Sequence, residues 1–553
     1  MSRKISLSLL TILASSVILG FETPLQAQQA SVTPVFGVLR HGTASPPLPE
    51  IPPLLSRGEG PRVVPLRTLP HGPATAQQDA VVQSTVGPLV GTTDLLNFEG
   101  VGEGLAGYSV NVAPPDTNGA VGPDHYLQWV NLSFAVFDKN GNKVFGPEPG
   151  NHFWQGSDLP QCELTNDGDP IVLYDQLAGR WVMSQLSYSF GPPYDICIAV
   201  SSGSDPLTSS WYRYALEWSS HLPDYPKMAV WPDAYYVTAN LFFGAFFFSG
   251  AQACALERDK MLQNLDATVQ CSAPDASHPS MLPATLDGST APPAGSPNYI
   301  LNFGSNSLNL WRFHVDFANP ANSTFTGPTS VQGVAAFSPA CNGGTCIPQP
   351  GTSQQLDTLG DRLMYRLAYR NFGDHESLVV NHSVNPGGGG GGRGNGRGGH
   401  GPFKPGGKPG GGGSTAVSGI RWYEIRSPAV SPSVYQQGTY APDTDSRWMG
   451  SIAMDNAGNI AVGYSVSSST TYPSIRYTGR LAGDTLGELQ AEQVVVDGHG
   501  SQTAGLSRWG DYSSMSVDPL DGCTFWYTTE YLQSDGTFNW STRIAKFKFP
   551  SCD

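Results

Sequence analysis

Short runs of alternating apolar and polar residues fill most of this chain. DPIVLYD (169–175), RWVMSQLSY (180–188), YDICIAVSS (194–202) and WYRYALEW (211–218) follow one another, with turn residues such as QLAG between them. A period near two, rich in Val, Ile, Tyr and Trp and bounded by Gly, Pro and Asp, predicts β-strands. The set recurs. KMAVWPD (227–233), AYYVTANLFF (234–243) and ACALERDKML (253–262) form a third copy. Residues 449–458, 459–468 and 473–481 form a sixth, and 512–522, 523–532 and 541–549 a seventh. Weaker copies fit at 114–150, 282–317 and 359–426. No segment shows a sustained helical period.

Copies therefore start near 114, 167, 223, 282, 359, 447 and 508. Repeated antiparallel sets predict an all-β fold, a single β-propeller of about seven four-stranded blades. The last copy lacks a fourth strand. DLLNFEGVG (94–102) is expected to supply it and close the ring.

Composition sharpens the boundaries. Gly (65) and Pro (46) make up 111 of 553 residues, charged residues are 14%, and the net charge is −15. Low charge with many aromatics argues against a wholly disordered chain. The acidic balance argues against nucleic-acid binding. Arg3, Lys4, the apolar run from Ile5 to Gly20 and Leu25-Gln26-Ala27 read as a signal peptide over 1–27. The product would be secreted or periplasmic, with no membrane attachment after cleavage. Residues 28–92 read as a disordered Pro-rich leader, and 93–553 as the propeller domain. Residues 387–413 hold 17 Gly and read as a disordered insertion. Eight cysteines behind an export signal point to disulfides between sequence neighbours: Cys162–Cys197, Cys254–Cys271, Cys341–Cys346 and Cys523–Cys552.

No G-x-S-x-G, H-E-x-x-H, P-loop or dinucleotide glycine pattern occurs. Instead, most copies open with an acid: Asp116, Asp169, Asp224, Asp361 and Asp511. The first strands of a propeller line its channel, so these acids converge on one mouth. Arg362, Arg447, Arg508, Lys227, Tyr225 and Tyr512 are expected beside them. Such carboxylates suit acid–base work on a glycosidic bond, and Arg with Tyr suits a uronate. Convergent Asp residues also suit Ca²⁺, although no cofactor is required. The plainer reading is that each Asp caps a turn or ties one blade to the next. Asp175-x-x-x-Gly179, Asp455-x-x-Gly458 and Asp518-x-x-x-Gly522 read as turns joining first and second strands.

PPDTNGAVGPDHYLQWVN, GDPIVLYDQLAGRW, PDYPKMAVWPDAYYVTAN, LMYRLAYRNFGDHESLVVNHSV and RWGDYSSMSVDP resemble phrases of secreted bacterial β-propeller proteins. These are largely uncharacterised and distantly similar to the sialidase/neuraminidase-like superfamily. The resemblance covers roughly 95–552 and implies fold and export, with no catalytic residue. Two functions stand open. One is a carbohydrate-active hydrolase or lyase working at the channel mouth. The other is a non-catalytic propeller binding extracellular polysaccharide or protein, with or without stabilising Ca²⁺. A monomer is expected.

Overall fold

The computed structural model describes residues 31–54, 61–70, 77–83, 87–387 and 418–552. The expected signal peptide and all of the Gly-rich insertion except Gly387 lie outside them. The described chain is nearly all β. Strands alternate with tight turns because the sequence places Asp and Gly at fixed points. Asp175 Oδ1 accepts the N–H groups of Leu177 and Ala178 at 3.1 Å, and Asp455 Oδ1 those of Ala457 and Asn459 at 2.9 Å. Gly179, Gly458 and Gly522 take φ of +64°, +81° and +64°, a region costly for a residue with a Cβ.

Antiparallel sets of four strands follow in chain order. The first holds Thr117–Val121, His125–Val130, Ser133–Asp138 and Lys143–Pro149. The second holds Ile171–Asp175, Arg180–Ser187, Tyr194–Ser201 and Trp211–Trp218. The third holds His221–Val230, Tyr235–Phe243, Phe247–Leu256 and Val269–Cys271. Leu282–Leu286 and Met364–Asn371 open the next two sets. They also pair with each other in parallel, which merges those sets into one ten-stranded sheet. Ser446–Met454 and Ser514–Val517 open the last two. The final set takes its fourth strand from Thr93–Glu99, antiparallel to Trp540–Lys548 with Ile544 opposite Phe98. Glu99 forms an ion pair with Arg543 and accepts from the Tyr531 hydroxyl at 2.7 Å.

First strands of successive sets lie side by side, and that of the last set touches that of the first. Eleven of the twelve Trp are fully buried. Each removes roughly 150–250 Å² from water, so these aromatic layers supply much of the driving force.

Within the segment read as a disordered leader, the described residues instead add strands to outer sheet edges. Val38–His41 extends the second set, Val35–Phe36 the third, and Ser31–Val32 the fourth. Val82–Gln83 adds in parallel to Ser433–Tyr440. Composition registers the prolines but cannot register the unpaired edges that receive this chain.

Cys162–Cys197, Cys254–Cys271, Cys341–Cys346 and Cys523–Cys552 are disulfide-bonded. Cys254 and Cys271 face each other on neighbouring antiparallel strands. Four disulfides fit an oxidising compartment. Among the described residues no helix is long and apolar enough to cross a membrane.

Candidate functional site

The first strands repeat one backbone device. Asp116, Asp169, Tyr225 and Met449 all have positive φ, between 45° and 56°. Asp116 and Asp169 take it just before their strands, and Tyr225 and Met449 at bulges inside His221–Val230 and Ser446–Met454. It needs local hydrogen bonds to hold a residue with a Cβ in that region. Asn131 provides them twice. Its Nδ2 donates to Asp116 Oδ2 at 2.8 Å, and its Oδ1 accepts from the Asp169 N–H at 3.1 Å. The kinks bring Asp116, Asp169, Asp224, Tyr225, Lys227, Arg362, Arg508, Asp511 and Tyr512 into one cluster.

The cluster is linked across sets. Asp116 Oδ1 accepts the Asp511 N–H at 2.6 Å, and Asp169 Oδ2 the Tyr225 N–H at 3.2 Å. Arg508 donates to Asp511 at 2.5 Å and to Asp357 at 3.1 Å. Arg362 grips its neighbour Asp361 through two hydrogen bonds, at 2.7 and 3.0 Å, and lies 4.6 Å from the Tyr225 ring centre. The Lys227 ammonium sits 3.4 Å from the Tyr225 ring centre and 4.2 Å from that of Tyr512, and donates to the Pro226 carbonyl at 2.9 Å. Aromatic faces stabilise a desolvated cation electrostatically.

Burial sets the proton affinities here. It raises Asp169 to about 7, helped by repulsion from Asp224 and Asp511 and opposed by Lys227 and Arg67. Burial also raises Asp357 to about 6, against the pull of Arg508. Asp116 lies well above the usual carboxylate range through burial and the charges of Asp511 and Asp169. Asp224 is raised by burial and held back by Arg67. Burial lowers Lys227 to about 8, against the attraction of Asp169, Asp511 and Asp116. A carboxyl near 7 beside an amine near 8 can exchange protons at neutral pH.

Arg447 does not join this group. Its guanidinium is held by Asp443 at 2.7 Å and Glu492 at 2.9 Å, and Tyr464 donates to the same Glu492. The arginine follows the first-strand pattern in sequence, but its side chain takes two acids of its own. Three cluster members carried no repeat signal. Arg67, from the leader, donates to Asp224 Oδ1 at 2.7 Å. Asp357 lies four residues before Asp361. Glu530, buried mid-strand, accepts the Gly510 N–H at 2.5 Å and is raised well above its ordinary value by burial. A lone acid inside the apolar run TFWYTTEYL (524–532) was the only hint of it.

Among the described residues no group of three or more His, Cys, Asp or Glu is arranged to hold a metal ion. The cluster's carboxylates are matched instead to arginines, a lysine and backbone N–H groups.

No family model matches the chain, and no curated protein matches it. Solved structures similar to it include an α-L-arabinofuranosidase from Fusarium graminearum (9% identity, 83% of this chain and 99% of that one, TM-score 0.35). A Hadza microbial sialidase is 11% identical over 78% of this chain and 74% of its own, with a TM-score of 0.33. An exo-β-1,3-galactanase from Clostridium thermocellum is 11% identical over 68% of this chain and 81% of its own, with a TM-score of 0.29. Likeness at this level carries no argument about what this chain does.

Proposed function

We propose that this chain is a secreted seven-bladed β-propeller, closed by Thr93–Glu99, that acts on a carbohydrate at its acid-lined mouth. A glycoside hydrolase or polysaccharide lyase is the reaction class. The supporting observation is Asp169. Its carboxyl, raised to about 7, stands beside the charges of Asp224, Asp511 and Lys227. It can carry a proton to a leaving oxygen at neutral pH while a neighbouring carboxylate stays ionised. Asp169 is the acid in this reading, Asp224 and Asp511 are the candidate partner carboxylates, and Tyr225, Tyr512, Arg362 and Arg508 line the surroundings. Asp116 and Asp361 take supporting places: Asp116 ties the first set to the last, and Asp361 orients Arg362. No cofactor enters this scheme.

A second reading is favoured by how many of these acids accept backbone N–H groups. Asp116, Asp169 and Asp357 all do, at 2.6, 3.2 and 3.3 Å. That pattern fits a non-catalytic propeller, with or without Ca²⁺, presenting its mouth or loops to a glycan or protein.

Release of reducing sugars and unsaturated products from a polysaccharide panel separates the two. Asp169→Asn and Asp511→Asn should each lower the rate by roughly 10²–10⁴ if proton transfer runs through this mouth. Wild-type rates in both variants would place the chemistry elsewhere, and glycan binding without product would support the second reading.

A further inference from the structure

Residues 61–70 (PRVVPLRTLP) meet the acid cluster at the Val64 carbonyl and the Arg67 side chain. Arg62–Val63 pairs in parallel with Val112–Ala113. The Arg62 N–H donates to the Asn111 carbonyl at 2.9 Å, and the Val64 N–H to the Ala113 carbonyl at 2.7 Å. In return, Arg508 Nε donates to the Val64 carbonyl at 3.2 Å. A cluster arginine therefore reads the backbone of this segment directly.

Two arginines reach down from it. Arg62 donates to the Asn166 carbonyl at 2.8 Å and lies 3.8 Å from Asp167. Arg67 donates to Asp224 Oδ1 at 2.7 Å and to the Ala245 carbonyl at 3.5 Å. Its guanidinium is 5.7 Å from the Tyr188 ring centre and 6.0 Å from that of Phe242. An acid, a carbonyl and two aromatic rings make a seat for a planar cation.

The hold is shallow. Only Leu69 in this stretch is fully buried, while Val63 and Leu66 face solvent. Val64 packs partly against the core, and the remaining contacts are hydrogen bonds, ring contacts of Arg67 and partly exposed ion pairs. A segment held this way exchanges with a competitor of the same chemistry, which a core strand would not do.

We propose that this groove is a binding site for an extended, arginine-bearing peptide, and that residues 61–70 fill it in cis. The recognition is strand addition at Val112–Ala113, with two arginines five residues apart meeting Asp167 and Asp224. The site's negative charge matches a segment that carries two arginines and no acid.

The test uses the full-length chain carrying Arg62→Ala and Arg67→Ala, and a fluorescent PRVVPLRTLP peptide read by anisotropy. The double variant should bind the peptide saturably, and more weakly as salt rises. Wild-type chain should bind at least about tenfold more weakly, because its own segment competes. Replacing both arginines of the peptide, or adding Asp224→Asn to the variant, should remove most of the binding. Arg67→Ala alone serves if the double variant melts low. A variant that melts like wild type yet does not bind, or binds the arginine-free peptide equally well, overturns the proposal. The assay reads binding and not turnover, so its failure leaves the carbohydrate reading standing.

Discussion

The two ends of the first strands handle buried polar groups in opposite ways. At the starting end, Asp116, Asp169, Asp357 and Asp511 are matched to arginines, a lysine and backbone N–H groups, and residues 61–70 reach Arg508 and Asp224. At the far end, Gly119, Leu173, Asp287, Tyr365, Arg366 and Ser516 help line a cavity of about 30 Å³. Asp287 pairs with Arg366 there, yet Asp287 Oδ2, Arg366 Nε, the Tyr365 hydroxyl and Ser516 Oγ have no hydrogen-bond partner among the described residues. The space suffices for about two water molecules. The starting end meets most of its charges with protein groups at fixed positions, although Glu530 Oε2 there has no hydrogen-bond partner among the described residues, and the other end leaves room for solvent. Fixed charges in a dry site shift proton affinities and can serve chemistry, whereas solvated ones serve mainly to keep the interior from collapsing.

The broadest challenge to this contrast is to remove what holds both ends. Deleting residues 1–105 takes away Thr93–Glu99 and its pairing with Trp540–Lys548. Stability should fall by more than about 4 kcal/mol, seen as a much lower denaturant midpoint. A shortened chain that melts like the full one would show that the strand is ornamental.

Single arginines sharpen the contrast further. Arg508→Ala would leave Asp357 and Asp511 buried without their cation, at a cost of about 3–5 kcal/mol. Arg366→Ala should cost less, about 1–2 kcal/mol, because the cavity lets water reach Asp287. Equal losses in urea melts would remove the distinction between the ends.

The smallest expected effect is on pH dependence, and it belongs to the starting end alone. Asp169 at about 7, Asp357 at about 6, and Asp116, Asp224 and Glu530, all raised, keep protons that the unfolded chain releases near pH 4. Their contribution to stability is whole below about pH 4 and declines as pH rises toward 7. Lys227, lowered to about 8, works the other way, adding stability between about 8 and 10.5. Melting temperature should therefore be higher at pH 5 than at pH 7.5, and Asp169→Asn should narrow the gap. A wider gap in that variant would contradict the assignment.

Much of the strand pattern is legible in the sequence. The strand runs around 180–188 and 194–202 became Arg180–Ser187 and Tyr194–Ser201 because alternation and turn residues act within a few positions. Asp116, Asp169, Asp224 and Asp511 were found because each repeats the same place in its own copy. Repetition misled at Arg447, where position matched but Asp443 and Glu492 captured the side chain. Arg67 and Asp357 lay outside the repeat, and Glu530 lay mid-strand within its seventh copy, so none gave a periodic signal.

Local pattern placed most of the strands, the pairing of neighbouring cysteines and the acids near the first strands, but it ran ACALERDKML (253–262) on as one strand where Phe247–Leu256 is followed by the short helix Arg258–Met261. Such placements depend on local backbone preference and short spacing. Only the fold shows that residues 61–70 reach Arg508, that Arg508 bridges Asp357 and Asp511, and that burial raises Asp169 to about 7. Those outcomes depend on groups hundreds of residues apart sharing one desolvated space, and the strength of charge–charge interactions there is set by burial, which no local pattern encodes.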